Sequence, residues 1–163
     1  MKTAIIFLLF SGLQLAAQDM QVCPMHKEHM QEASQHQAEV EKQGDEAMGF
    51  PHDKTTHHFR LYSDGGTIEV TVNDSKDSTN MQAIRSHLTH IVTMFSDGKF
   101  SIPMFVHDQV PPGVPAMKRL KAQISYQYVA ADGGGRVEIS TKNQEALAAI
   151  HDFNIHVSLP VDR

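Results

Sequence analysis

The sequence predicts an α+β fold of two layers, ββαββα in order, with an antiparallel sheet covered on one face by two helices. Two pairs of alternating runs, 57–62 with 67–72 and 123–129 with 136–141, are each separated by an Asp followed by glycines. Each pair is followed by a segment whose apolar residues recur at helical spacing. A change of composition near residue 50, from Gln, Glu, His and Met to branched apolar and aromatic residues, marks where a packed domain starts.

Residues 1–18 read as a secretory signal peptide. Lys2 supplies the positive charge, Ala4 to Phe10 a short apolar run, and Leu15-Ala16-Ala17-Gln18 a small-residue cleavage site. The run falls short of the roughly 20 residues that span a bilayer, and no second candidate follows it. The mature protein is therefore expected in the periplasm or secreted, without a membrane span. Gln21-Val22 before Cys23 lacks the Leu and small residue that precede a lipidated cysteine. Residues 19–49 read as a His/Met/Gln-rich arm, helical at most from Glu28 to Gln43 and without a core of its own; residues 50–163 read as the domain.

In the domain, Asp64-Gly65-Gly66 supplies a glycine pair whose positive φ angles would close the first hairpin. Asp77 or Ser78 caps a helix carrying Met81, Ile84, Leu88, Ile91 and Phe95, which Asp97-Gly98 ends. Residues 99–116 contain Pro103, Pro111, Pro112 and Pro115, which exclude a long helix or central strand and predict an irregular wrapping loop. The second hairpin turns at Asp132 to Gly135, and a last helix runs from about Asn143 to Ile155.

The formal net charge is −5, and losing Lys2 with the leader makes it one unit more negative. That balance argues against nucleic acid or an anionic membrane and favours a cationic ligand. A single cysteine forms no internal disulfide. The excess lies instead in 11 histidines and 9 methionines. In the arm Cys23, Met25 and His26 are followed by His29 and Met30, mixing the thiolate, thioether and imidazole donors that suit copper, with zinc the alternative. The Cys23-Pro24-Met25-His26 string resembles the short motif of heavy-metal-binding domains in copper and related efflux proteins, which usually continues with a proline where this chain has Lys27.

Further candidate ligands lie in the domain. By strand alternation His57 shares a face with Phe59 and Leu61, the core side, and His58 points the other way. His87 and His90 stand one helical turn apart, with Met94 four residues on. His107 sits beside Asp108 in the proline stretch, and His151 lies at the edge of the last helix's packed face. The run from Phe50 to Phe153 carries Thr-Thr-His-His-Phe, Gly-Gly-Thr-Ile-Glu-Val, Ala-Ile-Arg-Ser-His-Leu, Pro-Pro-Gly-Val-Pro-Ala-Met and Glu-Ala-Leu-Ala-Ala-Ile-His-Asp-Phe. It is similar to a family of small exported bacterial proteins of unassigned function. His57, His58, His87, His107 and His151 fall inside the shared motifs, whereas His90 and the Cys23 cluster lie outside or at their edge. After Phe153, Asn154-Ile155-His156-Val157 replaces the basic and aromatic continuation that the resemblance implies.

These features point to an exported metal-binding protein that binds or buffers copper through His, Met and Cys. The alternatives are a haem-binding protein, necessarily noncovalent because no Cys-x-x-Cys-His is present, and a module that binds a protein partner without metal. An enzyme is disfavoured: there is no His-Glu-x-x-His and no Ser or Cys in a nucleophile setting, and Glu69 is the one acid placed to serve.

Overall fold

The computed structural model describes residue 35 and residues 38–158. The expected signal peptide and the Cys23 cluster lie outside the described residues. Helix α1 (38–48) leads into strands β1 (Thr55–Tyr62) and β2 (Gly65–Val72), then helices α2 (Ser78–Ser96), α3 (Ser101–Val106) and α4 (Val114–Arg119). Strands β3 (Ile124–Ala131) and β4 (Gly134–Thr141) and helix α5 (Gln144–Ser158) complete the chain. The strands form one antiparallel sheet in the order β1-β2-β4-β3. Helix α2 packs over β4 and β3, and α5 over β2 and β1, so the two long helices cover one face as expected. Among the described residues no helix is long and apolar enough to cross a membrane.

The first hairpin departs from the sequence expectation in an instructive way. Ser63 and Asp64 make the turn, while Gly65 and Gly66 open β2 and pair with Tyr62 and Leu61. The positive-φ glycines are elsewhere, at Gly49, Gly98, Gly113 and Gly133. Gly65 and Gly66 are small for another reason. A Cβ on Gly65 would run into the carbonyl oxygen of Ile139, and one on Gly66 into the Asn154 amide and, at 2.9 Å, the Arg60 carbonyl. The second hairpin does turn on a glycine, Gly133 at φ +77°.

Asp77 caps α2 by accepting from the Asn80 N–H at 3.0 Å. Ile84, Leu88, Ile91 and Phe95 form the buried stripe, as their spacing requires. Gly98, at φ +76°, reverses the chain so that Lys99 N–H donates to the Met94 carbonyl at 2.8 Å. The proline stretch is less irregular than its composition suggests, because it holds α3 and α4. Pro103 and Pro115 stand in the first turns of these helices, where a backbone N–H would have no intrahelical acceptor. Asn143 caps α5 by accepting from Ala146 N–H at 2.9 Å, and the helix continues to Ser158, past the expected Ile155.

Replacing Gly65 with alanine pushes a methyl against the backbone of β4, where no rotamer relieves it. The expected loss is roughly 1–3 kcal/mol. Urea denaturation checks it against Ser63→Ala, an exposed turn substitution expected to stay within about 0.5 kcal/mol.

Candidate functional site

Strand alternation sends His57 and Phe59 of β1, and Ile68 and Val70 of β2, to the helix side of the sheet, with His57 opposite Val70 and Phe59 opposite Ile68. Above them α2 contributes His87, Leu88, Ile91 and Phe95, and α5 contributes Phe153, Val157 and Ser158. Ile102, Pro103, Val106 and His107 of the α3 region and Val40, Glu41, Gly44 and Met48 of α1 line the remaining sides. The chamber, open to solvent on one side, measures about 470 Å³, within the roughly 300–1,000 Å³ of small-ligand sites. The end of the expected arm thus forms part of the wall. Val40, Gly44 and Met48 recur every four residues, a helical signal masked because the middle member is a glycine. Gln43, with its amide nitrogen facing them, donates to the carbonyls of Phe105 at 3.0 Å and Val106 at 3.1 Å and so ties α1 to α3.

Two imidazoles stand on this wall. His57 stacks on Phe50 at 6.3 Å between centroids, and His87 meets the same ring edge-on at 5.7 Å. Burial among apolar groups lowers the pKa of both; His52 and His58 add to the effect at His57, and His90 and His57 add to it at His87, which falls to about 4. Neither ring owes its shift to a hydrogen bond. Near neutral pH both are therefore uncharged bases facing a mainly apolar space.

The other candidates are placed differently. His58 is exposed on the opposite face of the sheet, across from Glu69. His90 is exposed on α2. His107 is buried at the C-cap of α3 and lines the chamber, its ring 5.3 Å from that of His156, which in turn contacts the Gln109 amide at 3.2 Å. His151 Nε2 lies 2.9 Å from the Tyr62 carbonyl and 3.0 Å from that of Gly65, so it donates into the end of the first hairpin. Cys23, Met25, His26 and His29 lie outside the described residues. Among the described residues no three His, Cys, Asp or Glu side chains come together as a metal-holding group. The sequence pattern singles out none of four further contributors, Glu41, Met48, Phe50 and His52. The last bonds Asp45 through both its backbone N–H (2.7 Å) and its ring (2.9 Å), fastening α1 to the start of β1.

The opposite face of the sheet is polar, with Arg60 paired to Glu69 at 3.4 Å and Arg136 to Glu138 at 2.8 Å. No family model, no curated protein and no solved structure matches the chain.

The His87 shift carries a stability consequence. Its folded pKa of about 4 lies below the ordinary 6.5, so the unfolded chain binds the extra proton as pH falls. Stability from this group is complete above about pH 6.5 and is lost toward pH 4, with an upper bound of roughly 3 kcal/mol. In metal-free protein, His87→Leu should flatten the fall in urea midpoint between pH 7 and 4.5. An unchanged slope in that variant would show that the imidazole is not held neutral.

Proposed function

We propose that the protein is an exported copper-binding protein that seats a cuprous ion in the chamber, with His57 and His87 as nitrogen ligands and Met48 as a thioether ligand. The observation that carries this reading is the pair of uncharged imidazoles set on a mainly apolar wall without hydrogen-bond stabilisation. Imidazole ligates only when deprotonated, and here the fold has already removed the proton, so metal need not compete for it at neutral pH. Cuprous ion is soft, accepts few ligands and combines imidazole with thioether, and a mainly apolar lining favours its lower charge over that of cupric ion. Glu41 on the same wall offsets its single positive charge. Zinc asks for a more complete set of harder donors. Haem fits less well, because among the described residues no lysine or arginine lines the chamber to meet its propionates. The Cys23-Pro24-Met25-His26 string with His29 supplies a second, exchangeable set of donors in the arm, and export rests on Lys2 to Gln18.

The test is anaerobic competition for Cu(I) against a chromophoric chelator, in a chain whose arm is silenced by Cys23→Ser, Met25→Leu, His26→Ala and His29→Ala. One ion should remain bound. His57→Leu and His87→Leu should each weaken it at least about tenfold, or about 1.4 kcal/mol, with Met48→Leu weaker in effect. His90→Ala and His151→Leu should leave the affinity unchanged. Equal affinity across the whole series would remove the chamber from consideration and return copper to the arm alone.

A further inference from the structure

The two edges of the sheet differ in chemistry. β1 carries Arg60 and the imidazoles of His57 and His58 along its length. β3, Ile124 to Ala131, carries no charged residue and no proline, and it pairs with β4 over all eight residues without a bulge. No strand lies beyond it among the described residues. Exported and cytoplasmic proteins alike guard such edges with charge, proline or a bulge, because unpaired N–H and C=O groups recruit another strand. The β3 edge has none of these guards.

We infer that β3 pairs antiparallel with β3 of a second copy, making one eight-stranded sheet across a two-fold axis at Gln127. A two-fold perpendicular to the sheet keeps each face continuous, so residues of like parity must oppose one another. Centring it on Gln127 sets Gln127 against Gln127 and Ser125 against Val129 on the polar face. It sets Tyr126 opposite Tyr128 twice on the helix face in backbone register, with both rings leaning inward, Tyr126 against Phe95 at 5.9 Å and Tyr128 over Gly135. No charge meets a like charge in this register. Centring one residue later, on Tyr128, would press Ile124 against Asp132. β1 offers no such self-match, since a two-fold there brings Arg60 beside a partner's His58.

The experiment is sedimentation equilibrium of the full mature chain over a range of concentrations. The expected wild-type result is a concentration-dependent dimer. Gln127 is exposed and stands opposite Glu138 on β4. Gln127→Glu therefore sets two new carboxylates against each other at the axis, beside a Glu138 already paired to Arg136, and should leave a monomer of unchanged urea midpoint. Gln127→Lys sets two ammonium groups against each other at the axis and should likewise weaken the dimer, and an equimolar mixture of the two variants should restore it as the mixed species. A wild-type monomer at every concentration would overturn the inference, as would a Gln127→Glu dimer as strong as the wild type. So would a chain that dimerises only when residues before 38 are removed, because the arm would then be the strand that covers β3.

Discussion

Phe95 is the side chain on which the arrangement depends. Its ring stacks on Phe100 at 4.4 Å and meets Phe153 at 5.7 Å and Tyr126 at 5.9 Å, both edge-on, while Phe100 meets Phe153 at 5.9 Å. One ring thus joins α2, the lead-in to α3, the edge strand β3 and helix α5. Such aromatic pairs add roughly 0.5–1.5 kcal/mol each beyond the area they bury. Their geometry also sets how far α2 and α5 stand apart over the sheet. Phe95 and Phe153 form part of the chamber wall, so the cluster that ends the core also begins the cavity. His87 lies eight residues before Phe95 on the same helix, and locking Phe95 fixes where that imidazole stands.

The histidines divide according to how their rings are satisfied. His151 and His52 have partners, the hairpin carbonyls for one and Asp45 and Glu41 for the other, and each joins two parts of the fold. His57 and His87 are desolvated, and no hydrogen bond enters their pKa shifts. A leucine at either position would complete an apolar wall at lower cost in free energy. A fold that holds two bases in this condition, both against one phenylalanine, concentrates its local inconsistency at one cavity, which is the pattern expected of a binding site.

Much of the fold was legible in the sequence because its signals are local. The stripe from Ile84 to Phe95 and the alternation that turned His57 inward and His58 outward follow from periods of 3.6 and 2, and Asp77 is one of the two cap residues that the residue types before the stripe suggest. The Gly65-Gly66 pair misled because glycine has two uses, and only the opposing Ile139 carbonyl and Asn154 amide show that space, not φ, is the constraint here. The helices in the proline stretch were hidden because a proline in a first turn looks the same in sequence as one in a loop. The chamber was legible only in part. His57 and His87 stood out as ligand types, but their meeting at Phe50 joins three separate segments, and no spacing rule connects positions 50, 57 and 87.

The sheet order links the two proposals by separating them in space. The chamber rests on β1 and β2, at one edge, whereas the uncharged edge is β3, at the other. A two-fold at β3 therefore leaves both chambers at the outer ends of an eight-stranded sheet, away from the interface. The same asymmetry explains why the guards fall where they do. Arg60 keeps the β1 edge from recruiting a strand beside the chamber, and β3 lies at the opposite edge of the sheet. Phe95, which lines the chamber and meets Tyr126 of β3 edge-on at 5.9 Å, is the contact through which association at β3 would reach the chamber.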